Sequence, residues 1–231
     1  MTFTAPRLPA SSPPMALVIA LVPLAAATNI VGSYLAGLLK LPVFLDMIGT
    51  CVAAIVLGPW WGAAAGALSN VGGSLFNGPS NIPFALANIA GALVWGFGIR
   101  RFGLGRNGLT YFALTLVVAV VVALVAAPIV LYVYGGATGH ASDAVTAVLE
   151  IAGQGLASAV VASNLVLNVA DKMMAGYVGL AIVRALPEDL LAGVRLPGTG
   201  RFGTLAMVLA GEAIGVALAA VYLLFLAPPV G

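Results

Sequence analysis

The sequence predicts an all-α integral membrane protein with roughly six or seven membrane helices. Of its 231 residues, 62% are hydrophobic and only 7% are charged, and the apolar residues fall in long runs separated by Gly, Pro and Asn. A soluble domain carries about 25% charged residues, because its outer shell must be solvated. This chain lacks the charge to cover itself in water, so lipid has to be its outer solvent.

The elements follow in order. Residues 1–14 form a Pro- and Ser-rich cytoplasmic tail carrying Arg7. No cleavable-signal pattern precedes the first apolar run, which is therefore expected as a retained helix over 15–39. Pro23 should kink it unless neighbours satisfy the freed carbonyl. Lys40 and Pro42 close it, and 41–45 form a short loop. A brief second run, 46–57, ends at Gly58-Pro59-Trp60-Trp61-Gly62, a turn whose tryptophans suit the membrane interface. A third run, 60–76, is rich in Gly and Ala, and Asn77-Gly78-Pro79-Ser80-Asn81 is a turn by its chemistry. Spans over 82–99 and 109–134 come next.

Residues 144–186 have helical character but are too long for one crossing. One helix over them would run about 65 Å, against a hydrocarbon core of about 30 Å. A break is expected near Gly153-Gln154-Gly155 or around 168–171. The membrane core thus covers 15–187, a cytoplasmic loop 188–202, and an additional C-terminal transmembrane helix 203–227.

Charge placement sets orientation. Arg7, Arg100, Arg101, Arg106, Arg184, Arg195 and Arg201 are seven of the nine basic residues. Placing them all in the cytoplasm obeys the positive-inside rule and puts the amino terminus there. One net crossing then separates Tyr134 from Arg184, so 144–155 is expected as a surface or re-entrant segment. Lys40 and the Gly-rich loop around His140 face outward.

Several chemistries are excluded. Neither lysine, Lys40 or Lys172, follows a G-x-x-x-x-G pattern, so there is no phosphate loop. The single histidine, His140, cannot build an H-E-x-x-H zinc site, and it reads as an ordinary loop residue outside the bilayer. The nearest candidate serine, Ser74, has no histidine expected beside it. A lone Cys51 leaves no intrachain disulfide and no cysteine-rich metal site. A net charge of +2 is too small to argue for nucleic acid, and no cofactor is implied.

Polar residues inside the apolar spans are more informative. Asn70 and Asn77 are seven apart, as are Asn81 and Asn88, with Trp95 seven further along, so each set shares a helix face. Both converge on the 77–81 turn, and together they point to a polar pocket opening outward. Gly62, Gly66, Asn70 and Gly73 make a narrow stripe that lets another helix approach closely. On a continuous helix from Glu150, a second stripe of Glu150, Gln154, Ser158, Asn164, Asn168, Asp171 and Lys172 falls within an arc of about 140°. Ionisable groups there are costly and face a protein interior or a cavity. Asp171 and Lys172 point about 100° apart, so each is expected to pair elsewhere. Glu212 reads as structural or as a partner for Lys172. Each asparagine, taken singly, serves as well as interhelical glue.

Two segments resemble a known family. Leu41-Pro42-Val43-Phe44-Leu45-Asp46 and Leu57-Gly58-Pro59-Trp60-Trp61-Gly62 with Gly66 are similar to the early region of substrate-binding (S) components of energy-coupling factor (ECF) importers. There an acidic residue opens the second helix and a Gly-Pro-x-x-Gly turn opens the third. Asp171-Lys172 resembles the start of the last core helix, and Leu186-Pro187 its end. The extra span after Gly203, the long 144–168 segment and the short second helix depart from the pattern.

The resemblance implies a six-helix S-component-like bundle plus the additional C-terminal helix, in the plasma membrane, with a pocket near the outer face. It implies a vitamin-like small molecule as substrate. Partners would be a shared ECF transmembrane subunit and an ATPase pair, docked through small residues of the first helix, here Ala16 and Ala20. Loop 40–45 would gate the pocket. Asp46, Asn70, Asn77, Asn81, Asn88, Trp95, Gln154, Asn164 and Asn168 would supply hydrogen bonds and a stacking surface. Many amides and few charges favour an uncharged or zwitterionic heterocycle. The alternatives are a membrane-embedded hydrolase or transferase, which needs a buried nucleophile–base pair, and a sensory or structural module without a ligand-sized pocket.

Overall fold

The computed structural model describes residues 13–191 and 194–197, with isolated positions between 205 and 217; the side chain of Asn77 is not among the described atoms. The expected last span and Glu212 lie for the most part outside the described residues.

Seven α-helices and two 3-10 turns make up the described fold. Helix α1 (Met15–Leu38) runs through Pro23 without interruption, with the proline exposed. Helix α2 (Ile48–Val56) is only 9 residues long. Helix α3 (Pro59–Asn77) starts where Gly58 adopts φ +107°, a conformation that favours glycine, and Pro59 takes the first helical position. A 3-10 turn (Pro79–Phe84) leads directly into α4 (Ala85–Arg100). Helix α5 (Gly108–Tyr134) is capped by the Asn107 side chain, which accepts from Thr110 N at 2.9 Å, and ends at Gly135 in the left-handed conformation. Helices α6 (Asp143–Ile151) and α7 (Leu156–Ala185) are separated at Gly153, whose φ is +92°.

Among the described residues, four helical segments are long and apolar enough to cross a membrane: Met15–Leu38, Pro79–Arg100, Gly108–Tyr134 and Leu156–Ala185. The other helices differ from the expected spans for identifiable reasons. α2 and α6 are far too short at 1.5 Å per residue. α3 has the length, but its Gly, Ser and Asn residues dilute its hydropathy.

The residues of α2 from Gly49 to Val56 are all buried, because it packs against α1, α3, α4 and α7. Around it, α1 packs on α3, α3 on α4, α4 on α5, and α5 on α7. The two ends of this arc, α1 and α7, are joined through α2 and segment 39–47. Glycines permit the closest approaches. A Cβ on Gly49 would meet the Ala25 carbonyl oxygen at 2.0 Å, and one on Gly96 would meet Pro59 Cα at 2.4 Å. The stripe on α3 is used in the same way, since Gly62 abuts Ala54 and Gly66 abuts the Asn88 side chain.

Two buried polar networks hold the helices in register. Asn29 donates to Thr50 Oγ1 at 2.7 Å and accepts from Gly49 N at 2.8 Å, and Thr50 Oγ1 donates to Asn88 Oδ1 at 2.6 Å. At the other end, the Arg100 guanidinium donates to the carbonyls of Ile55 (3.0 Å) and Val56, capping the C-terminus of α2.

Candidate functional site

A cavity of about 280 Å³ lies where the C-terminal half of α1, segment 39–47, the 3-10 turn and the N-terminal half of α7 meet. Its size is close to the lower end for small-molecule sites, about 300–1,000 Å³. One wall is apolar, with Met47, Val122, Ala126, Val130 and Leu167. Aromatic rings frame it: Phe44 and His140 lie 5.1 Å apart at 31°, and Phe84 stacks on Tyr134 at 5.8 Å.

Charged groups sit in the opposite wall. Lys172 Nζ lies 3.1 Å from Asp46 Oδ1 and also contacts Asp171 Oδ2. The other Asp171 oxygen accepts from Phe44 N and Leu45 N, both at 2.8 Å. Asp171 thus anchors segment 39–47 to α7, and Leu45 is held at φ +52° beside it. The Lys172 and Asp171 side chains are 1% and 0% exposed, whereas Asp46 is 29% exposed, so of the two carboxylates on Lys172 it is Asp46 that offers an oxygen to the cavity. The expectation that Asp171 and Lys172 pair elsewhere is half met: Asp46 is a distant partner, but the two also contact each other. The 100° separation concerns Cβ directions, and the four-carbon lysine stem bends across it. Asp171-Lys172 lies in the middle of α7, not at a helix start.

The amides of α7 point their oxygens inward. Asn164 Nδ2 and Asn168 Nδ2 donate to the carbonyls four residues back, at 2.9 Å each. Both side chains line the cavity, are buried, and have no described partner for Oδ1. Asn88, buried at the base of α4, donates to the Asp46 carbonyl at 3.1 Å and so ties the acidic segment to α4.

Loop 135–142 closes the remaining side. Asp143, in the first turn of α6, accepts from Thr138 N (2.8 Å), Gly139 N (2.7 Å) and Thr138 Oγ1 (3.1 Å). His140 Nδ1 lies 3.1 Å from both Ser142 N and Ser142 Oγ. Burial pulls the His140 pKa below its usual 6.5, although Asp143, Asp46 and Asp171 pull the other way. His140 is a wall of the cavity, not the plain loop residue its sequence context implies.

Of the predicted residues, Asp46, Asn81, Asn88, Asn164 and Asn168 line the cavity together. Asn70 does not: its amide donates to the Gly66 carbonyl at 3.0 Å, and it borders a separate small crevice. Trp95 is 0% exposed in the apolar core and takes no part in the cavity wall. Gln154 sits in the α6–α7 connection, outside the lining; the helix break at Gly153 removes it and Glu150 from the α7 stripe. The Asn77 side chain lies outside the described residues. Ala16 and Ala20 are exposed on α1. Sequence reasoning missed Phe84, His140 and Asp143 as wall residues, and named Phe44 only as part of the gating loop 40–45. A lone histidine between glycines and a Ser-Asp helix start were the available signals. With Asp46, Asp143 and Lys172 in the lining, the site is more charged than the amide pattern implied.

Among the described residues, no group of three or more His, Cys, Asp and Glu is placed to hold a metal. Comparison with family models, with curated proteins and with solved structures finds no match to this chain.

Proposed function

We propose that this chain is the substrate-binding membrane subunit of an ECF-type ATP-driven importer for a vitamin-like small molecule, with no chemistry of its own. The observation that carries this reading is the cavity, which combines an apolar wall, aromatic rings and inward amide oxygens, as small-ligand sites require. Its position supports the same reading. The cavity lies at the end of the bundle formed by segments 39–47, 78–84 and 135–142. Basic residues gather at the other end: Arg100 lies beside Gly58, and Gly105 abuts the Arg195 carbonyl. Under the positive-inside rule the basic end is cytoplasmic, so the cavity faces outward and the amino terminus inward.

Ala16 and Ala20 are exposed at that basic end of α1, the helix with the smallest buried share among the candidate spans, 22%. That is where a shared transmembrane subunit and its ATPase pair would dock. In this reading 15–187 forms the six-helix S-component-like core, and 203–227 adds a transmembrane helix in the plasma membrane. Segment 39–47, held by Asp171, gates the cavity.

A hydrolase gains one observation, the contact of His140 Nδ1 with Ser142 Oγ. The Ser142 amide claims the same nitrogen lone pair, so it is poorly placed to accept the hydroxyl proton. The importer reading is tested by uptake. Cells expressing the chain with an ECF transmembrane subunit and ATPases should accumulate the small molecule that co-purifies with it. Ala16→Trp/Ala20→Trp should abolish uptake and leave binding intact. Uptake that persists without the ATPases would reject the reading, and turnover lost in Ser142→Ala would favour the hydrolase.

A further inference from the structure

Charge in the cavity specifies its ligand further, on the premise that it is the substrate site just proposed. Asp46 and Asp143 line it as carboxylates, and Asp171 touches Lys172 from behind. Against these three stands one ammonium, Lys172, since burial holds the His140 imidazole toward its neutral form. Lys172 is already bonded to Asp46 and Asp171 and lies 5.6 Å from the centre of the Phe44 ring, so it has little to offer an anion. Asp143 spends its oxygens on Thr138 and Gly139. Asp46, partly exposed, keeps an oxygen beyond the one facing Lys172.

The neutral groups have the same polarity. Asn164 and Asn168 are buried, line the cavity and turn unpartnered carbonyl oxygens toward it, because both NH₂ groups donate to the α7 backbone. Accessible from the cavity, these oxygens can each accept a hydrogen bond from an N–H group of a ligand. Asp46 and Asp171 set two carboxylates against the one ammonium of Lys172, which leaves one net negative charge for a cation to meet.

We infer that the ligand is a small flat monocation bearing N–H donors, an amidinium- or aminoheterocycle-like ring, paired with Asp46 and donating to Asn164 and Asn168. Phe44 and Phe84 also line the cavity, and aromatic rings attract a cation through their faces. This differs from the uncharged or zwitterionic heterocycle expected from the amide pattern alone.

Three probes of nearly one shape and different charge test it: benzamidinium, benzamide and benzoate, titrated at neutral pH against the full chain in lipid nanodiscs. Benzamidinium should bind at least about tenfold more tightly than benzamide, the gain of one charge-assisted contact, and benzoate most weakly. In Asp46→Asn the preference should fall below about threefold. A smaller preference in the wild-type protein, or one that survives Asp46→Asn, overturns the inference. Should Asp46→Asn fail to fold, the wild-type order alone decides. A tighter neutral or anionic probe, or no saturable binding by any of the three, also overturns it. None of these outcomes touches the importer reading, which the uptake assay above tests separately.

Discussion

At the scale of single residues, Lys172 is the position on which the site depends. Its ammonium is 1% exposed and holds two carboxylates, Asp46 and Asp171, that would otherwise face each other. A buried pair of this kind adds little net stability relative to apolar residues, but removing one partner leaves the other charge uncompensated. Lys172→Met should therefore cost about 3–5 kcal/mol. The double variant Lys172→Met/Asp171→Asn should recover part of that loss, because the asparagine oxygen can still accept from Phe44 and Leu45. Thermal unfolding in detergent checks both; a single variant as stable as the wild type would show that the ion pair carries no structural load. Much of this was legible in the sequence: acidic Asp46 at a helix start and Asp171-Lys172 inside an apolar span both mark a costly feature needing partners. Their closure on one another was not legible, because it depends on a contact between residues 126 apart.

At the scale of elements, glycines set how closely α2 can sit in its surround. Ala25 backbone occupies the space that a side chain at Gly49 would need, and backbone cannot yield as a side-chain tip can. Gly49→Ala should destabilise the protein by about 1–3 kcal/mol, the usual cost of overpacking. Gly37→Ala, in the last turn of α1 at the cavity and with open space around it, should leave unfolding unchanged or slightly raised. Equal effects in the two variants would refute the packing account. The element boundaries themselves were readable from punctuation: Gly58-Pro59 opens α3, Asn107 caps α5, and Gly153 separates α6 from α7. Depth was not readable. A spacing of seven residues puts Asn88 and Trp95 on one helix face, but Trp95 lies about 10 Å further along the axis. At that level the side chain belongs to the apolar core and not to the cavity. Periodicity gives direction around a helix, and burial along it comes only from what packs at each level.

At the scale of the whole molecule, the chain is asymmetric from end to end. One end carries the cavity, with loops 39–47 and 135–142; the other carries Arg100, Arg106 and Arg195. Between them α5 runs 27 residues from Gly108 to Tyr134. At 1.5 Å per residue that is about 40 Å, more than a hydrocarbon core of about 30 Å, so its two ends belong on opposite sides of a bilayer. Cys51, the one native thiol, is fully buried, which leaves introduced cysteines as the reporters. Ala137 and Arg106 are exposed on either side of α5. A membrane-impermeant maleimide should label Ala137→Cys in intact cells, and Arg106→Cys only after permeabilisation. The reverse pattern would open the cavity to the cytoplasm, and an importer's binding subunit could not then load from outside. Labelling of both from one side would mean that α5 does not cross at all, and the membrane reading of the most apolar candidate span would fail with it.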